Sequence, residues 1–255
     1  MAKFFVTTKL LVLQHVDREG PDLIANLAIS RGMTIETLRP DQGDPLPDPD
    51  GCNNTIALIL GGPMGVSDRN RPSMAWLQRE LDWLTVWHQR RQPVCGICLG
   101  AQLLATAAGG SVETLTVGTP PQPFMEVGIG AIHWLADPKE HPLLLGMNPS
   151  DLVLHWHGDR IQLPTEAELL GSSLHCPEQV FRIGRHAIGL QCHLETADSS
   201  VKRWIAEDRD YVVQALGPHG PTQLQEQWDR LGPQLQRQGR QMFNTIFDAL
   251  SKSQP

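Results

Sequence analysis

Residues 92–110 read QPVCGICLGAQLLATAAGG. The first half is a short apolar run after a proline, which predicts a buried strand over PVCGI. The second half predicts a helix over LGAQLLATAAGG, closed by its two glycines. Between them stands Gly96-Ile97-Cys98-Leu99-Gly100, a G-x-C-x-G pattern at a strand-to-helix turn. A nucleophile set on such a turn is strained, and glycines two residues before and after it remove side chains that would collide there. The helix beginning at Leu99 then directs its positive end at the sulfur and favours thiolate. Cys95 and Cys98 also form a CxxC pair. A metal half-site would need a second pair, and Cys176 and Cys192 are isolated. A redox CxxC opens a helix with both thiols near its start, whereas Cys95 falls inside the strand and reads as a small core residue.

Outward from this stretch, apolar runs alternate with helical spacing. KLLVLQH (9–15) predicts a strand, GPDLIANLAISRG a helix, and MTIETL a second strand. A Pro, Asp and Gly-rich loop follows. TIALIL (55–60) is a further strand that stops at GGPMG. SMAWLQRELDWLTVWHQRR carries Trp76, Leu77, Leu81, Leu84 and Trp87 at helical spacing, a packed face rather than an exposed tryptophan cluster. This order predicts an α/β fold with a mostly parallel central sheet flanked by helices, whose sites lie at the carboxyl ends of strands. From 111 to 193 the pieces are short and strand-like, predicting additional antiparallel strands. Beyond Thr196 two helical stretches are expected, 199–216 and 222–250, the second broken at Gly232-Pro233. Residues 1–255 read as one domain, with a core of about 10–195 and a C-terminal helical extension of about 196–255.

The chain has 255 residues, 40% of them hydrophobic, and a net charge of -7. The acidic balance argues against nucleic acid as a partner, because phosphate neutralisation needs clustered Lys and Arg. No apolar run reaches a membrane span. The N-terminal apolar stretch is interrupted by Thr7, Thr8 and Lys9, with no small-residue cleavage site after it. Five cysteines, an odd number in a long chain, fit reduced thiols in a cytoplasmic protein better than a disulfide framework.

A cysteine nucleophile needs a base, and the base an orienting partner. GLQCHLE places His193 at the end of an apolar strand with Glu195 two residues on, pointing the same way. Equally on spacing, His193 is a plain strand-end histidine and Glu195 caps the next helix. LGGPMG lets a backbone N–H approach a substrate closely, and with the N–H of Leu99 it can form an oxyanion hole. Alone, Gly-Gly-Pro is a turn.

GGPMG, GICLGAQ and QCHLE, in this order and spacing, resemble the class I, triad-type glutamine amidotransferases over about residues 10–195. LQHVDREGP and HWHGD (155–159) are similar to the free-standing relatives of the glutaminase domain of GMP synthase. The resemblance implies a flavodoxin-like sheet and a glutaminase chemistry. It implies Cys98 as nucleophile, His193 as general base and acid, and Glu195 as the orienting carboxylate. It implies oxyanion N–H groups at Gly62 and Leu99, glutamine binding by Gln102, and substrate contacts at His157, Gly158 and Asp159. No metal and no organic cofactor is implied. The substrate would be glutamine or a γ-glutamyl compound, and the ammonia would pass to a separate synthetase partner, since no synthetase region follows Glu195 in this sequence. Two positions depart from the family's frequent Q-F-H-P-E: Cys192 replaces the aromatic residue and Leu194 the proline. A stand-alone γ-glutamyl hydrolase with the same triad, and a non-catalytic thiol-sensing or binding protein of this fold, are the alternative readings.

Overall fold

The computed structural model describes residues 8–252; the first seven residues of the N-terminal stretch lie outside that range. Among the described residues, thirteen strands and six helices follow one another: β1 (Lys9–Leu13), α1 (Asp22–Ser30), β2 (Thr34–Leu38), β3 (Thr55–Ile59), α2 (Ala75–Gln89), β4 (Val94–Ile97) and α3 (Leu99–Ala107). Next come β5 (Ser111–Thr114), β6 (Thr116–Val117), β7 (Gln122–Pro123), β8 (Glu126–Trp134), β9 (Ser150–His157), β10 (Asp159–Gln162), β11 (Ala167–Ser172), β12 (Val180–Ile183) and β13 (Ala187–Leu190). Helices α4 (Asp198–Glu207), α5 (Arg209–Leu216) and α6 (Gly220–Ser251) come last.

Nine strands form one sheet in the order β2-β1-β3-β4-β13-β12-β11-β8-β9. From β2 to β13 every pairing is parallel. From β13 to β9 every pairing is antiparallel. Most of the sequence's short strand-like pieces thus extend the parallel sheet, while β5 pairs with β10 and β6 with β7 in two separate two-stranded sheets. The continuous apolar runs of β1 and β3 arise because both faces are covered. Leu10, Val12, Ile56 and Leu58 join one core with Ile24 of α1 and Phe243 of α6. Their neighbours Leu11, Leu13, Ala57 and Ile59 join the opposite core with Leu77, Leu84 and Trp87 of α2 and Leu103 of α3. Alternation with period two assigns each residue to its face.

Two expectations for the C-terminal region are corrected. Helix α6 runs unbroken through Pro233. Proline forfeits one hydrogen bond, but Leu224, Trp228 and Leu235 around it are buried, as are Met242, Phe243 and Ile246 further along, and this packing outweighs the local penalty. Trp228 lies directly over Gly232, where an added Cβ would come within 2.9 Å of the indole. The stretch 199–216 is two helices, separated at Asp208, whose carboxylate turns inward to accept from Trp156 Nε1 at 3.1 Å and Arg18 Nη2 at 3.2 Å.

Among the described residues, no helix is long and apolar enough to cross a membrane.

Candidate active site

The carboxyl ends of the parallel strands converge on one cleft. Cys98 follows β4 and forms the N-cap of α3 with φ 51° and ψ −109°, a strained conformation for a residue with a side chain. The flanking glycines are dictated by contact. A Cβ on Gly96 would lie 2.4 Å from the carbonyl oxygen of Gly100, and one on Gly100 would lie 2.0 Å from that of Ile59 in β3. The helix start is therefore pressed against two strands, and only glycine fits at either point.

His193 does not end β13 as expected; the strand stops at Leu190. His193 instead exchanges both backbone hydrogen bonds with Leu154 of β9, at 2.8 and 3.1 Å. The chain is leaving the parallel sheet here, and the edge strand β9 pins it. Its Nδ1 lies 2.7 Å from Glu195 Oε1. The second carboxylate oxygen, Oε2, accepts from the backbone N–H of Leu194 at 3.0 Å. Glu195 thus serves the imidazole and not the next helix, whose N-terminal N–H at Ala197 is held by Asp22 at 2.8 Å. Nε2 of His193 is buried without a conventional hydrogen-bond partner. Cys98 Sγ lies 3.9 Å from the Trp156 carbonyl oxygen, and both Cys98 and His193 line the same cleft. A single point, the Cβ position of Gly61, lies 3.5 Å from both Cys98 Cβ and His193 Cε1. Burial opposes charge on His193, but the Glu195 carboxylate and the thiol overcome it and raise its pKa well above the ordinary histidine value.

The departures at 192 and 194 are explained. Leu194 supplies the N–H that holds Glu195, a donor that proline lacks. Its carbonyl is met by α6, where a Cβ on Gly239 would come within 1.9 Å of it. Cys192 is fully buried in the core that includes residues of α1 and α6 and does not line the cleft, and burial pushes its thiol well up. Cys95 is likewise a buried core residue whose thiol is pushed up by burial.

The cleft encloses about 420 Å³ and is lined by Gly62, Cys98, Leu99, Gln102, His157, Gly158, Asp159 and His193, with Glu195 behind His193. All nine sequence-assigned positions therefore meet at one place. His157 differs in attitude: its Nδ1 donates to the Asp159 carbonyl at 2.9 Å, and its Nε2 lies 3.1 Å from Glu126. Its ring faces a buried polar cluster behind the cleft.

That cluster holds potential metal donors at Glu126, His157 and Cys176. Its carboxylate is already spent, accepting from Ser173 Oγ at 2.7 Å and Gln179 Nε2 at 2.8 Å. Gln179 Nε2 also lies 3.3 Å from His157 Nε2, in the space between the donors. Burial pushes the Cys176 thiol up to about 12, which disfavours a thiolate ligand. The donor set fits a hydrogen-bonded network better than an ion.

Sequence reasoning missed several residues in and around the cleft. Gln191 accepts from Gln102 at 3.1 Å, and its own Nε2 lies 3.7 Å from Cys98 Sγ. Its place two residues before His193 was the available signal. Arg18, Glu19, Asp208 and Tyr211 complete the wall. Trp204 of α4 meets the His193 ring edge-on at 4.9 Å. Arg18 and Glu19 lie in the LQHVDREGP stretch already singled out, whereas nothing local marks Trp204, Asp208 and Tyr211, because the C-terminal helices reach the cleft only through the folded chain.

The chain is 28% identical over 207 residues to a glutamine amidotransferase-like protein, YfeJ, of Salmonella typhimurium, covering 80% of this chain and 82% of that one. It is 28% identical over 206 residues to one subunit of the glutamine-hydrolysing GMP synthase of Methanoculleus marisnigri, covering 80% and 98%. The fold matches the crystal structure of a glutamine amidotransferase from Thermotoga maritima with a TM-score of 0.81 at 23% identity, over 96% of this chain and 98% of that one. Residues 21–209 match the family model for class-I glutamine amidotransferases. The chain belongs to the class-I glutamine amidotransferase family.

Proposed function

We propose that this protein hydrolyses the side-chain amide of glutamine through a Cys98 thioester and passes the ammonia to a separate synthetase partner. The observation that carries the reading is His193, held at Nδ1 by Glu195, in one cleft with a sulfur on a strained turn. The Cys98 thiolate attacks the amide carbon, forming a C–S bond. The oxyanion takes hydrogen bonds from the Gly62 and Leu99 N–H groups. Imidazolium His193 protonates the departing nitrogen, and ammonia leaves. Neutral His193 then takes a proton from water, which attacks the thioester. The C–S bond breaks, giving glutamate and the starting thiolate–imidazolium pair. Gln102, Gly158 and Asp159 bind the substrate, and His157 shapes that segment from behind. The M. marisnigri relative is named as one subunit of its synthase, which supports a separate acceptor. In this reading residues 1–255 act as one domain, because Asp208 and Tyr211 of the C-terminal extension line the cleft.

A second reading has one observation in its favour. A volume of about 420 Å³ lies within the range of pockets for drug-sized ligands, so a γ-glutamyl compound larger than glutamine fits. A thiol-sensing role for Cys192 is disfavoured by its complete burial and its absence from the cleft lining.

The test is glutamate release by the purified chain from glutamine and from γ-glutamyl peptides, beside Cys98→Ala and Glu195→Gln. Cys98→Ala should abolish turnover, and Glu195→Gln should lower kcat by about 10²-fold or more. Release that survives Cys98→Ala refutes the reading. Strong turnover of peptides with none of glutamine selects the hydrolase.

A further inference from the structure

The segment LQHVDREGP brings His15 and Glu80 of α2 together beneath the Gly61–Gly62 turn, although neither lines the cleft. His15 Nδ1 lies 2.9 Å from the Gly61 carbonyl oxygen, and Nε2 lies 3.0 and 3.1 Å from the two carboxylate oxygens of Glu80. Both side chains are completely buried. Trp76 stacks on the imidazole at 5.6 Å. The Gly61 carbonyl can only accept, so Nδ1 carries a proton, and Nε2 shares a hydrogen bond with the Glu80 carboxyl group. Burial alone opposes a charged His15, but Glu80 and the Gly61 carbonyl raise its pKa above the ordinary value.

A buried ion pair costs desolvation and is weak evidence of stabilisation. Its position suggests another use. Two glycines in succession have no side chains to lock a peptide plane, and glycine has the greatest backbone freedom. In a trans peptide the C=O and N–H point in opposite directions. Anchoring the Gly61 carbonyl on His15 therefore turns the Gly62 N–H away from His15. Gly62 lies in the cleft wall beside Leu99, with 3.3 Å between its Cβ position and Leu99 Cδ2.

We infer that His15 and Glu80 are positioning residues that hold the Gly61–Gly62 peptide with its N–H directed at the developing oxyanion, an inference that rests on the proposed function. The pair acts through the peptide and never touches the substrate. Loss of the clamp leaves Cys98, His193 and the binding wall in place but frees a transition-state donor to rotate. Removal of one oxyanion donor typically costs 10²–10³-fold in kcat.

The test compares His15→Leu, which lacks any donor, with His15→Asn, whose amide can still reach the Gly61 carbonyl but not Glu80. Steady-state glutaminase kinetics are read beside the rate of Cys98 alkylation by iodoacetamide, a reaction that forms no oxyanion. His15→Leu should lower kcat about 100-fold with KM within threefold of native. His15→Asn should recover about tenfold of that loss. Alkylation rates of both should stay within twofold of native. The inference is overturned if His15→Leu keeps kcat within threefold, if KM carries the loss, if alkylation slows in proportion, or if the two variants are equal. Should His15→Leu fail to fold, a native kcat in His15→Asn overturns it, and a tenfold fall with native alkylation supports it. Glutamate release by Cys98→Ala would refute the proposed function itself, and this inference with it, whatever the His15 variants do.

Discussion

Replacing Gly100 by alanine tests the contact on which the nucleophile turn depends. The added Cβ would lie 2.0 Å from the Ile59 carbonyl oxygen, 2.6 Å from its carbon and 2.9 Å from Ile59 Cβ. Ordinary contact begins at 3.4 Å, so α3 and β3 must part by more than 1 Å. Two of these atoms belong to the backbone of a fully buried central strand, so no rotamer change relieves the clash. Overpacking of this kind costs about 1–3 kcal/mol or more, and a backbone clash belongs at the upper end. At about 2–4 °C per kcal/mol for a chain near this size, Tm should fall by roughly 6–12 °C. Cys98 and Leu99 ride on the same turn, and a displacement near 1 Å at a reacting centre costs about 10²-fold in rate. The assay is thermal melting by circular dichroism together with glutamate release, with Gly51→Ala as control, because an added Cβ there meets nothing within 4 Å. A Gly100→Ala protein that melts within about 2 °C of native and turns over normally would refute the packing argument.

Two further outcomes are expected. Burial depresses the His155 pKa to about 4, although Glu126 lies 3.4 Å away. The folded state thus resists a proton that the unfolded state accepts, so His155's contribution is intact above about pH 6.5 and is lost as pH falls through that window toward 4. His155→Gln should melt with a shallower pH dependence between 6.5 and 4, and identical slopes would refute the assignment. Asp208→Ala removes the acceptor of Trp156 Nε1 and Arg18 Nη2 in the cleft wall. It should raise KM for glutamine about tenfold while kcat changes less than threefold; a fall in kcat alone would show that the wall does not bind substrate.

Much of this molecule is readable one residue after another. Leu10 to Leu13 and Ile56 to Leu60 are apolar without interruption, which only a strand covered on both faces explains. Gly96 and Gly100 around Cys98 announce a turn that side chains would obstruct, because steric exclusion is local and leaves its mark in the residues themselves. The cysteine and the glycine turn were legible for the same reason: each sits at a strand end defined by its own neighbours, whereas the histidine–glutamate pair lies beyond the end of β13. Their meeting was not legible from spacing alone, where His193 served equally well as a plain strand-end residue.

The tertiary structure decided what depends on residues far apart in the chain. Pro233 predicts a break, yet α6 continues, because apolar burial on both sides of the proline exceeds one lost hydrogen bond. Asp208 reads as the middle of a helix and instead divides two, since Trp156 and Arg18 draw its carboxylate inward across 52 and 190 residues of chain. His15 looks like a strand-end residue until Glu80 and the Gly61 carbonyl close around it. Sequence carries the conformational preference of each segment. Which segment's preference yields, and which buried polar group finds its partner, is settled only when the sheet assembles and water is excluded.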